Sequence, residues 1–191
     1  MGRKTKIVLI IMSFLIFCVQ SVLAAGHTPA KGEAFPNITL PVPEKASEMD
    51  YLGVTGKGSL MISQIKADLV ILEIFSMYCP YCQKEAPNIN ELYNMIEKRP
   101  DIKDRIKIIG IGAGNTPFEV DVFRNQYNIQ FPLFSDESFS VHKTVGEVRT
   151  PYFFVIKKNA DGTNILVYSK VGSIQDPSQF LELIIKECDL K

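Results

Sequence analysis

Residues 59–191 predict an α/β domain, a central mixed sheet with helices on both faces. Three observations carry this expectation. The run DLVILEIF, Asp68 to Phe75, is apolar almost without a break, as in a strand covered on both sides. Strand-like and helix-like segments then alternate as far as Val145. The chain closes with two strand-like runs around the turn NADG and one more helix. A length of 191 residues suits one well-filled core with appendages.

The elements follow in order. Residues 26–58 hold glycines and prolines in number and read as a tether followed by an extended segment, with a short strand at Asn37 to Leu40. After Asp68–Phe75, a helix is expected from Pro80 to about Lys98, with Ile89, Leu92, Tyr93 and Ile96 on one face. Pro87 should bend its first part, because proline lacks an amide hydrogen and crowds the preceding turn. RIKIIGIGA, Arg105 to Ala113, is the next strand. Thr116, Pro117 and Glu119 then form a capped helix start, and that helix should reach about Tyr127. A short strand is expected at Phe131 to Phe134 and a weaker helix from Asp136 to Val145. YFFVIKK and NILVYSK form a hairpin, and the last helix opens at Asp176–Pro177 and ends near Cys188.

The first 25 residues carry a processing signal. Arg3, Lys4 and Lys6 precede an apolar run from Ile7 to Val19, followed by Gln20, Ser21 and the small residues Ala24 and Ala25. This is the pattern of a secretory signal peptide. An uncleaved membrane anchor is the rival reading; it needs about 20 mostly apolar residues. Removing residues 1–25 takes three bases and no acid from 21 Lys+Arg and 21 Asp+Glu, leaving 18 against 21, a formal charge of −3. That balance gives nucleic acid no basic face to bind. Export directs attention to protein or small-molecule partners and to cysteine as a redox group. The sequence reading is therefore a periplasmic or otherwise exported domain, soluble after cleavage or held to the membrane by its N-terminal segment.

The chemistry sits in CPYC. On a helix, residues i and i+3 share a side, so Cys79 and Cys82 can bring their sulfurs within bonding reach. Pro80 suits the first helical position, which places Cys79 at the cap beside unpaired amides and the positive end of the helix dipole. Those amides favour thiolate over thiol, so Cys79 is the expected nucleophile and Cys82 the resolving thiol. A structural zinc wants four ligands. The only histidines are His27 and His142, both read as solvated, and no second cysteine pair exists. A staple across so short a loop removes little unfolded-state entropy. Cys188 continues the apolar positions Phe180, Leu181, Ile184 and Ile185 and reads as a core residue.

LEIFSMYCPYCQKEAP, Leu72 to Pro87, resembles the active-site segment of thioredoxin-like proteins, especially the exported TlpA/ResA-type thiol-disulfide oxidoreductases. Their pattern C-x-x-C-x-x-E-x-P is met by Cys79, Cys82, Glu85 and Pro87, and the similarity runs from about Gly32 to the C-terminus. The resemblance implies a thioredoxin-like fold. It also implies that Pro151 is a cis-proline facing the cysteine pair, with Thr150 presenting its backbone to a substrate disulfide. Glu73 matches the buried acid of thioredoxin and Glu85 the glutamate of the TlpA/ResA pattern; a carboxyl buried among apolar groups can accept a proton from Cys82 near neutral pH. Tyr78 stands where many relatives have Trp, and Pro80–Tyr81 between the cysteines resembles glutaredoxins. Tyr78, Pro80 and Tyr81 are thus expected at the substrate surface. With no histidine between the cysteines, an extreme oxidant is not expected.

The leading reading is an exported enzyme that reduces or isomerises disulfides of partner proteins by cycling Cys79–Cys82, without metal or organic cofactor. By the same resemblance, a reductase in an oxidising compartment implies a membrane thiol electron donor, and apocytochrome c is a candidate substrate. Two alternatives stand beside it. A peroxiredoxin-type thiol peroxidase finds its Ser in Ser76 but has Leu72 in place of the expected proline. A thioredoxin-like module could instead use the thiols to hold Cu(I).

Overall fold

Five strands form the sheet on which everything else is hung. The computed structural model describes residues 27–159 and 161–190; the signal-peptide reading of residues 1–25 falls outside them. In chain order the elements are β1 (Thr39–Pro41), α1 (Ala46–Leu52), β2 (Ser59–Met61), a single 3₁₀ turn, β3 (Leu69–Phe75), α2 (Pro80–Glu97), β4 (Ile106–Ala113) and α3 (Pro117–Tyr127). They continue with β5 (Leu133–Asp136), α4 (Ser140–Thr144), β6 (Tyr152–Lys158), β7 (Asn164–Val171) and α5 (Pro177–Glu187). The main sheet runs β5-β4-β3-β6-β7, and β1 pairs with β2 in a separate two-stranded ribbon. β3 lies parallel to β4, and β4 to β5, whereas β6 is antiparallel to both β3 and β7. This is the expected mixed sheet.

β3 is buried along its whole length, because both faces of the sheet are covered. Side chains alternate across it. Leu69, Ile71 and Phe75 join one cluster with Ile89, Leu92 and Ile96 of α2, Phe123 of α3, and Phe180 and Ile184 of α5. Val70, Leu72 and Ile74 join the other, with Leu52 of α1, Val141 of α4, Phe35 and Ile38. Glu73 takes the odd parity, so it points into the α2 face.

Several boundaries differ from expectation. The extended reading of residues 26–58 missed α1, which has no side-chain N-cap at Lys45 and buries only Leu52, so neither cap nor periodicity announces it. Within residues 26–58, the strand expected at Asn37 to Leu40 is present as β1, Thr39–Pro41, and Phe35 before it is buried, its amide donating to the Asn164 carbonyl at 2.8 Å. β5 begins two residues later than expected and ends at Asp136, which leaves α4 only Ser140–Thr144. Asp136 is a strand residue whose carboxylate reaches forward to accept from the Val141 and His142 amides, at 3.1 and 2.8 Å. Pro87 lies inside α2, which continues through it to Glu97. Cys188 is a buried core residue.

Candidate active site

The end of β3 delivers Ser76 to Cys79 to the N-terminus of α2. Cys79 is the N-cap, with extended backbone, and Pro80 takes the first helical position. The Gln83 amide donates to the Cys79 carbonyl at 3.1 Å, so the first helical bond begins at the cysteine. The preceding loop is held from both sides. Asn115, fully buried after β4, accepts the Met77 amide at 2.9 Å, and the Gln83 side-chain amide donates to the Met77 carbonyl at 2.8 Å. Neither residue was singled out in the sequence; an Asn and a Gln far apart in the chain give no local signal of meeting at one peptide.

Cys79 and Cys82 are both free thiols in unlike surroundings. Cys79 is partly exposed at the rim, and Cys82, one turn into α2, has no exposed surface. Partial burial works against ionisation of Cys79, but the Thr150 side chain, the Cys82 backbone and thiol, and the Tyr81 backbone outweigh it and hold the thiol below its ordinary value. Burial pushes the Cys82 thiol up; the Ser76 backbone opposes this, while the nearby charges of Glu73 and Cys79 add to it. Cys79 therefore ionises first and is the sulfur of the pair that solvent can reach.

The two acids occupy different situations under the pair. Glu73 is buried between Gly110 of β4 and Phe153 of β6. Burial pushes its carboxyl up to about 8, with help from the charges of Glu85 and Cys79. Glu85, also buried, is tied on both oxygens: Oε1 accepts the Ile174 amide at 2.8 Å, and Oε2 accepts the Asn88 side chain at 3.1 Å. Glu85 thereby anchors α2 to the loop between β7 and α5.

That loop also supports the far wall of the site. The Thr150–Pro151 peptide is cis, and Pro151 is buried. The Gly172 amide donates to the Pro151 carbonyl at 2.8 Å, and the Cys79 thiol points at the Thr150 carbonyl, with Sγ 3.4 Å from the oxygen. Around the thiol the surface is aromatic. Tyr78 and Tyr81 are 66% and 71% exposed, Pro80 is exposed between them, and Phe118 at the start of α3 is 76% exposed. The Tyr78 hydroxyl donates to Glu119, whose other carboxylate oxygen closes the α3 capping box with Thr116.

The histidines are not alike. His27 is exposed and pairs with Glu33. His142, expected to be solvated, is partly buried, with Nε2 2.8 Å from the Val148 carbonyl oxygen. Among the described residues, no group of three or more His, Cys, Asp and Glu side chains is placed to hold a metal ion. Nor, among them, is any helix long and apolar enough to cross a membrane.

The pattern of the AhpC/TSA family matches residues 32–162, which span the CPYC segment, the sheet through β6 and the cis-proline. The chain belongs to the AhpC/TSA family. Within it, the chain is similar to the thiol-disulfide oxidoreductase ResA of Bacillus thuringiensis subsp. konkukian, 27% identical over 158 residues, covering 82% of this chain and 85% of that protein. It is also similar to ResA of Halalkalibacterium halodurans, 26% identical, covering 68% of this chain and 69% of that one. Among solved structures, a thiol:disulfide interchange protein DsbE from Chlorobium tepidum superposes with a TM-score of 0.63 at 15% identity, over 84% of this chain and 99% of that chain. A secreted Mycobacterium tuberculosis disulfide oxidoreductase does so with 0.51 at 16% identity, over 68% and 90%. This AhpC/TSA member therefore has a thioredoxin-like fold and is, by homology, a thiol-disulfide oxidoreductase.

Proposed function

We propose that the protein reduces or isomerises disulfides of partner proteins in an exported compartment, with Cys79 as nucleophile and Cys82 as resolving thiol. The observation that carries this reading is the asymmetry of the pair: a rim thiol favoured as thiolate above a fully buried thiol favoured as thiol. The Cys79 thiolate attacks one sulfur of a partner disulfide; that S–S bond breaks and the departing thiolate takes a proton from water. Cys82 then loses its proton to Glu73 and attacks Cys79 Sγ. The mixed disulfide breaks, the partner leaves fully reduced, and its two electrons have come from the Cys79 and Cys82 thiols, which are left joined as a disulfide.

Glu73 suits the proton step because its charge acts on Cys82 and burial raises its carboxyl to about 8. Glu85 supports the geometry of α2 against the 172–175 loop. In this reading Thr150, whose carbonyl lies opposite Cys79, presents backbone to an extended partner segment, and the exposed rim of Tyr78, Pro80 and Tyr81 supports apolar contact beside it. Turnover as a reductase needs an external thiol donor, for which a membrane thiol carrier is the class expected.

The test is trapping. Cys82→Ser should leave Cys79 joined to partners as mixed disulfides that separate on non-reducing gels, and Cys79→Ser should capture nothing and lose exchange activity. Full exchange activity in Cys79→Ser would refute the assignment of roles. Peroxide consumption surviving Cys82→Ser would move the reading to a thiol peroxidase.

A further inference from the structure

The strap from Val145 to Pro151 carries Thr150 to Cys79, and α4 is the element that launches it. Gly146 and Glu147 both take left-handed backbone, φ 94° and 51°, and turn the chain back along the helix. Gly146 is pressed against the N-terminal segment, where an added Cβ would lie 2.3 Å from the Thr28 backbone nitrogen. The Glu147 amide donates to the His142 carbonyl at 2.9 Å, and the His142 ring reaches over to the Val148 carbonyl. A carbonyl only accepts, so Nε2 carries the hydrogen in this contact, and imidazole can donate it whether neutral or charged. His142 is itself held: its amide is bound by Asp136, and its ring lies 5.8 Å from that of Phe139. On the far side, the strap is fastened by the Gly172 amide on the Pro151 carbonyl. Thr150 thus hangs between a clamp two residues upstream and another one residue downstream.

We propose that His142 is a positioning residue for disulfide exchange, its bond to the Val148 carbonyl setting how closely Thr150 approaches Cys79. This rests on the thiol-disulfide reading above and adds a residue to it that lies outside the CPYC segment. The Thr150 side chain is among the groups that favour the Cys79 thiolate, and the Thr150 carbonyl faces the sulfur at 3.4 Å. Slackening the strap therefore changes both the groups that set the ionisation of the nucleophile and the surface on which a partner segment is aligned.

The experiment compares His142→Phe, His142→Asn and His142→Gln in the full chain. Phe keeps a ring and loses the donor, Asn is too short to reach, and Gln can place an amide nitrogen near Nε2. On the reduced protein without substrate, ultraviolet titration of the thiolate should show the Cys79 midpoint displaced from wild type in the Phe and Asn variants, with Gln close to wild type. For wild type and all three variants, kcat/KM for a disulfide-bonded protein at neutral pH should fall about three- to tenfold in Phe and Asn, the worth of one hydrogen bond, and recover in Gln. Should the Phe variant fail to fold, Asn against Gln carries the same comparison. The inference is overturned if thiolate titration and kcat/KM stay at wild-type values in Asn, or if Gln is impaired as much as Asn with a matching fall in melting temperature. A wild-type chain without exchange activity would sink the functional reading instead, and the titration would still judge His142.

Discussion

Replacing Glu73 with Gln removes the titrating carboxyl beneath the cysteine pair while keeping its size. In the folded protein that carboxyl is pushed from an ordinary 4.5 up to about 8. Between those values the folded chain holds a proton that the unfolded chain has released, so folding takes up a proton and stability falls as pH rises. The contribution of Glu73 is complete below the unfolded value and is lost as pH climbs through about 8. Integrated from pH 5 to pH 8, the loss is about 3.5 kcal/mol. Glu73→Gln cannot lose it, so the variant should gain about 3.5 kcal/mol on wild type over that interval. A domain of this size converts this into a gain of about 7–14 °C in melting temperature. The assay is urea unfolding of both proteins, kept reduced, followed by circular dichroism across the interval. A stability gap that stays constant from pH 5 to pH 8 would show that Glu73 titrates normally and would remove it from the proton step.

Alkylation should distinguish the cysteines: with iodoacetamide at pH 7, Cys79 reacts first and faster than an unstructured thiol, while Cys82 and Cys188 are modified only once the chain is unfolded; peptide mapping reads the order. If Cys82 reacts as fast as Cys79, the asymmetry of the pair is wrong. Gly110→Ala should destabilise the fold by about 1–3 kcal/mol, because its Cβ would lie 2.5 Å from Leu133 Cδ2 and 3.3 Å from the Phe75 ring. A variant whose unfolding midpoint matches wild type would show that the sheet can yield there.

Local chemistry made much of the protein legible. A nearly continuous apolar run rich in β-branched residues reads as a strand covered twice, and Pro80, Thr116–Pro117 and Asp176–Pro177 mark helix starts within a few residues of themselves. The same local logic put Cys79 at a helix cap and Cys82 one turn behind it. It failed where an element has no cap of its own. α1 has no side-chain N-cap and is tied to distant elements, by Glu48 to Arg124 and by the Tyr51 hydroxyl to the Ile108 amide, and α4 is capped by the carboxylate of Asp136 from the strand before it.

What the sequence by itself determined is the placement of the two thiols, because cysteines at i and i+3, with proline between, need only their own helix to share one side. Tertiary structure alone decided the surroundings of that pair. It set the parity that turns Glu73 toward Cys82, tied Glu85 to Ile174, and brought Asn115 to the Met77 amide. Through the Val148 carbonyl it also made His142, which looked solvated, a neighbour of the strap over Cys79. The reason is physical: each of these contacts joins residues by the way the sheet is paired and the loops are folded over it, and no spacing along the chain encodes which peptide a distant side chain will reach.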